Sequence, residues 1–168
     1  SAQLKKLDNL NKSRIEMVSF LVSSLDNYDF LKPLSSRPEC KNCKCDKDRK
    51  CKPTFYVFPI RFLTKNCNID RKQFIEILNS EGFVFYEGYV KPLYYQPIYQ
   101  KKQLFKNGYP FSAIENKNLN MNYDKGTCFN AERLHFEEII INEHIRLPNS
   151  MEDLNDIIGA LKKVIIGE

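Results

Sequence analysis

Only two histidines, His135 and His144, and six glycines occur among the 168 residues. Two separated imidazoles cannot furnish a histidine-based zinc hydrolase site, and each reads as a surface or packed residue near the end of an element. The glycines are scattered, so G-x-G-x-x-G, the P-loop and G-x-S-x-G are all missing. Phosphate-cradling and triad chemistry therefore find no support in sequence. Long apolar runs are also missing, and the N-terminal stretch alternates apolar with charged side chains. Neither a membrane span nor a secretory leader is expected. The basic excess is small, 26 Lys+Arg against 21 Asp+Glu for a formal charge of +5, and does not by itself point to nucleic acid; no nucleic-acid or membrane partner is expected. Six cysteines without a secretory leader belong to a reducing compartment, so the protein is read as cytoplasmic.

With 42% hydrophobic residues, the chain suits a single domain over 1–168 that buries roughly two thirds of its unfolded surface. Leu4, Leu7, Leu10, Ile15, Val18, Leu21, Val22 and Leu25 recur at helical spacing and predict a long amphipathic N-terminal helix. It opens at the first residues without a start signal, as the continuation of a segment upstream. Residues 32–53 dissolve into Pro, Ser, Lys, Asp and Cys and read as a loop insertion. Phe55 to Phe62 is rich in aromatic and β-branched residues and predicts a strand, with Pro59 at an edge or at the strand's end. Asp70 and Gln73 form a capping-box pattern for a helix with Phe74, Ile77 and Leu78 on its apolar face, closed by Gly82 and followed by a strand from Phe83 to Tyr86.

Residues 86–111 are too broken by proline for regular structure and predict an ordered aromatic loop. A helix around Asn130 to Glu137 leads into a strand at Glu138 to Ile141. Ser150 and Asp153 then cap a C-terminal amphipathic helix carrying Leu154, Ile157, Ile158, Leu161, Val164 and Ile165. The expected fold is α/β of the α+β-like kind: a small, mainly antiparallel sheet covered by helices.

Two constellations can carry chemistry. Cys40, Cys43, Cys45 and Cys51 lie within one polar, lysine-rich loop. Four thiolates so spaced can hold a tetrahedral Zn²⁺, or they are free thiols in an insertion. Cys67 and Cys128 read as packed or incidental. Tyr89, Tyr94 and Tyr95 beside Lys91 and Gln96 can line a pocket for a sugar or a phosphate-bearing ligand, since phenols pair a flat apolar body with a polar tip. The alternative is that they pin the loop onto the sheet.

The stretch Glu87-Gly88-Tyr89-Val90-Lys91-Pro92-Leu93-Tyr94-Tyr95-Gln96-Pro97-Ile98-Tyr99-Gln100 resembles the substrate-facing loop of the DegT/DnrJ/StrS family of pyridoxal-phosphate-dependent sugar aminotransferases. Tyr123 to Cys128, running on through Ala131-Glu132-Arg133-Leu134-His135 to Arg146-Leu147-Pro148, resembles that family's late helix and strand. Ser150 to Val164 resembles its terminal helix, and Ala2 to Leu7 the start of the helix that bridges its two domains. The resemblance implies a C-terminal small domain whose parent moves an amino group from glutamate or glutamine to a nucleotide-linked keto sugar or a keto-cyclitol, in surface polysaccharide or aminosugar biosynthesis. It implies that the Schiff-base lysine and the remaining pyridoxal-phosphate ligands lie in an N-terminal large domain missing here, that the full-length enzyme is a homodimer, and that the isolated fragment is inactive, with no catalytic or cofactor-binding residue of its own. Tyr89, Lys91, Tyr94, Tyr95 and Gln96 would face the substrate. Some members of the family are sugar dehydratases, and the missing half decides between the two activities. Outside the family, the sequence also admits an autonomous zinc-containing binding module, or a domain that associates with a partner through its long helix.

Overall fold

The computed structural model describes residues 2–33 and 53–166, the last two through their backbone only. Among them, a short 3₁₀ turn at Leu4–Lys6 runs into helix α1 (Leu7–Leu25), and strand β1 (Leu31–Pro33) follows. Strand β2 (Phe58–Phe62), helix α2 (Arg71–Ser80), strand β3 (Tyr86–Glu87), the single turn α3 (Pro97–Gln100), helix α4 (Phe129–Arg133), strand β4 (Ile139–Asn142) and helix α5 (Met151–Ile166) complete the order. The four strands form one antiparallel sheet in the order β1-β2-β4-β3. The expected class, a small antiparallel sheet covered by helices, is the one observed.

Alternation along β2 drives the layering. Phe58, Ile60 and Phe62 are buried while Pro59 and Arg61 between them are half-buried, as the period of two in a strand requires. That inner face meets Leu21 and Leu25 of α1, Phe74 and Leu78 of α2, and Leu154 and Leu161 of α5 in a single core. Phe30, Phe62 and Phe74 pack there with ring centroids 4.9–5.9 Å apart, close enough for aromatic packing to add to plain area burial. Leu154, Ile158 and Leu161 are all buried, so the C-terminal stripe faces the sheet as its spacing predicts.

Helix ends follow the local chemistry. The Asp70 carboxylate accepts from the Gln73 amide at 2.8 Å and the Gln73 side chain accepts from the Asp70 amide at 3.1 Å, a reciprocal cap. At the other end the amides of Phe83 and Gly82 donate to the carbonyls of Leu78 and Asn79, with Gly82 at φ +93°. This is the left-handed closure that glycine adopts without a Cβ penalty. Ser150 and Asp153 cap α5 in the same way, and the bonds that the Asp153 carboxyl accepts from the Ser150 amide and then the Ser150 hydroxyl hold it below its ordinary range.

Several boundaries differ from expectation. The strand expected at Phe55 starts at Phe58, and the one expected at Glu138 starts at Ile139. Pro59 lies in an interior strand, near its beginning and one residue beyond the last described pairing with β1. Of Phe83 to Tyr86 only Tyr86 joins the ladder. Phe85 is bonded at both N–H and C=O by the Asn79 side chain, and the Val84 carbonyl accepts from Asn142, so amide side chains replace a neighbouring strand. On α2 the inward residues are Phe74, Ile75 and Leu78, with Ile77 exposed: positions i, i+1 and i+4 share a face, and i+3 falls at its edge. The stripe of α1 is buried only from Met17 onward, and Leu4, Leu7 and Leu10 are exposed. Cys67 is half-buried and Cys128 exposed, both free.

Because nothing lies within 4 Å of a Cβ built on Gly82, Gly82→Ala isolates the backbone cost. It should lower stability by about 1 kcal/mol in urea unfolding with the slope of the transition unchanged.

Candidate functional site

The aromatic segment is built from single turns. Pro92 precedes a 3₁₀ turn at Leu93–Tyr95, and Pro97 is the first residue of α3, where a missing amide costs nothing. The prolines thus start turns here, where sequence suggested that they only break structure. Gln100 fastens the segment, its amide donating to the carbonyls of Tyr94 at 2.7 Å and Tyr123 at 2.8 Å.

Tyr94 is buried, and its hydroxyl donates to the carboxylate of Glu132, which is itself only 7% exposed. The same carboxylate oxygen accepts from the Gly126 amide at 2.6 Å. Burial, and then the bond to Glu132, pushes the Tyr94 hydroxyl up to about 12. It is therefore a neutral donor at every physiological pH. Tyr95 packs on Tyr94 at 4.9 Å and edge-on to Phe136 at 5.5 Å. Tyr95, Phe129 and Phe136 give aromatic walls to an open cavity of about 470 Å³, with Lys125, Glu132, Arg133 and Glu137 at its polar positions.

The cavity's far wall is a π-helical turn, Leu134–Glu138, which continues α4 and ends at β4. A helix end leaves carbonyls without intrahelical donors. Arg71 supplies them: its guanidinium donates to the carbonyls of His135 at 3.1 Å, Phe136 at 2.7 Å and Ile139 at 3.1 Å, and lies 3.7 Å from Glu87. Burial pulls the Arg71 pKa below its ordinary value, opposed by the charges of Glu87 and Glu137. Glu138 takes Arg61 on one oxygen at 2.7 Å and Arg133 on the other at 3.1 Å. The Arg133 Nε–H is not aligned on its oxygen, so that contact is ionic without being a hydrogen bond.

Of the five residues expected to face a substrate, Tyr94 is bonded to Glu132, Tyr95 packs on Tyr94, and Tyr95 alone lines the cavity. Tyr89 and Lys91 are exposed on the neighbouring stretch. Gly88, at φ +63°, abuts the His135 ring so closely that a Cβ there would sit 2.8 Å from its Nδ1. Burial, then Arg71 and then Lys91, lower the His135 pKa. Gln96 is half-buried and reaches the Lys91 carbonyl at 3.5 Å. Glu132, Phe136 and Arg71 carry the site as much as the tyrosines do, yet no sequence signal singled them out: each sits in a stretch of ordinary helical composition. Cys40, Cys43, Cys45 and Cys51 lie outside the described residues; among the described residues no group of three or more His, Cys, Asp and Glu is placed to hold a metal.

Residues 1–153 match the model of the DegT/DnrJ/EryC1/StrS aminotransferase family. The chain belongs to that family. Among solved structures, it is similar to Helicobacter pylori PseC, an aminotransferase involved in the biosynthesis of pseudoaminic acid, with a TM-score of 0.64 and 19% identity. At that identity the likeness is one of fold. The alignment covers 99% of this chain and 36% of PseC, so this family member spans about a third of its structural relative. No curated protein matches the chain.

Two outcomes check the site's construction. Arg71→Ala should cost about 2–4 kcal/mol, because three carbonyls lose a charged donor. Arg71→Lys should recover only part of that, since one ammonium cannot replace a planar fork. The imidazole of His135 should titrate below the ordinary 6.5 by NMR, and Lys91→Ala should raise the midpoint. A lowered folded-state value means that His135 contributes stability present above the unfolded value of 6.5 and lost as pH falls through the folded one.

Proposed function

We propose that this chain is the C-terminal small domain of a pyridoxal-phosphate-dependent sugar aminotransferase. One observation carries this: the family model matches residues 1–153 while the chain spans only 36% of PseC. The parent transfers an amino group from glutamate or glutamine to a keto group on a nucleotide-linked sugar or a cyclitol, in the cytoplasm, for surface polysaccharide or aminosugar synthesis. Its large N-terminal domain supplies the cofactor site. Every described lysine is exposed, whereas a Schiff-base lysine needs a desolvated amine. The described residues therefore do not fit the cofactor's covalent anchor. The exposed Leu4, Leu7 and Leu10 continue the helical stripe outward, in keeping with a neighbouring domain and a homodimeric parent.

On the substrate side, Tyr95 offers a ring to the sugar face and Lys91 a mobile cation to its hydroxyls or phosphates, with Tyr89 and Gln96 flanking. Tyr94 differs from these. Its hydroxyl is committed to Glu132, so it acts by fixing the acid that helps line the cavity.

The test uses the longer protein. Lys91→Ala should lower kcat/KM about fivefold or more with an unchanged Tm. Tyr94→Phe should lower the Tm, because Glu132 keeps only the Gly126 amide. Amino transfer from glutamate to a keto sugar in the wild-type protein is the expected reaction. Loss of water from the sugar instead would assign the parent to the family's dehydratases, and full activity in Lys91→Ala would remove that lysine from the substrate face.

A further inference from the structure

Five arginines fall among the described residues: Arg14, Arg61, Arg71, Arg133 and Arg146. Three face carboxylates, Arg61 and Arg133 on Glu138 and Arg71 on Glu87. The other two make no ion pair with a described acid, and both line one open cleft of about 470 Å³ between α1 and the segment after β4. His144 and Asn149 join them there, over the apolar side chains of Leu10 and Leu147. Among the described residues no Asp or Glu lines this cleft, and it shares no lining residue with the Tyr95 cavity.

Both guanidinium groups start from fixed backbone. The 144–149 turn is tied by the Arg146 amide to the His144 carbonyl at 2.7 Å, the Asn149 amide to the Arg146 carbonyl at 3.0 Å, and the Asn149 side chain to the His144 carbonyl at 2.6 Å. Arg14 rises from α1 and donates one Nη1 bond to the Thr54 carbonyl at 3.3 Å, the one side-chain hydrogen bond it makes among the described residues, out of five donors. Two guanidinium groups lining one cleft with no described acid among its lining residues make it electropositive and favour an anion there. Planar guanidinium forks match the oxygens of a phosphoryl group, whose multiple charge two such forks can neutralise together.

We infer that the Arg14–Arg146 cleft binds a phosphoryl group, carried either by free phosphate or by the diphosphate of a nucleotide. This site does not depend on the proposed transferase activity and is read without turnover. The 168-residue chain is titrated with inorganic pyrophosphate by calorimetry at low salt. Saturable binding of one equivalent is expected, with Arg14→Gln and Arg146→Gln each weakening it about tenfold at unchanged Tm. Lys125→Gln, in the other cavity, should leave it intact. A nucleoside diphosphate that binds more tightly than pyrophosphate through the same arginines assigns the site to a nucleotide, and equal affinity assigns it to the free anion. The inference is overturned by an absence of saturation at about 10 mM, by undiminished binding in the double arginine variant, or by an equal loss in Lys125→Gln.

Discussion

The guanidinium of Arg71 is the contact through which scaffold and site are joined. It leaves the first turn of α2, a helix anchored in the core by Phe74 and Leu78, and ends on the carbonyls of the π-helical turn and of β4. Without it, the His135 and Phe136 carbonyls of that turn would lose a charged donor, which would favour unwinding. Because Glu87 of β3 also faces it, one side chain gathers α2, β3, β4 and the turn that carries Phe136. The position of the cavity wall is thus tied to the packing of α2 on the core.

Short-range chemistry made much of the scaffold readable in advance. The pairs Asp70–Gln73 and Ser150–Asp153 and the glycine at 82 act within a few residues of themselves, so their meaning survives any tertiary arrangement. The stripe of α5 was equally plain, because a sixteen-residue helix repeats its apolar face several times. Ile77 against Ile75 on the ten-residue α2 was not, since a short helix leaves the centre of its buried face ambiguous by one position. The extended stretch before Tyr86 has strand-like composition yet takes its partners from Asn79 and Asn142. Nothing local announces such long-range substitutions.

The site was legible in its location more than in its roles. Clustered phenols mark the segment. Which phenol faces outward depends on Glu132, an acid buried on a helix that reads as solvated in sequence. Tyr94 and Tyr95 are adjacent and chemically alike, but one is spent on an internal carboxylate and the other is presented to the cavity. A 3₁₀ turn rotates neighbouring side chains by about 120°, which suffices to divide the two tasks.

The π-helical turn at Leu134–Glu138 also makes this part of the chain intolerant of changes in length. A π turn holds one residue more than the α turn it replaces, so removing any one of the five would yield a more regular helix and a displaced strand. If β4 followed by slipping a single position, Ile140 would leave the helix-packed core and Ile141, now buried outside that cluster, would take its place, and every side chain would exchange between the two faces of the sheet. Substitutions here can be absorbed side chain by side chain; a deletion would be felt along the whole ladder at once.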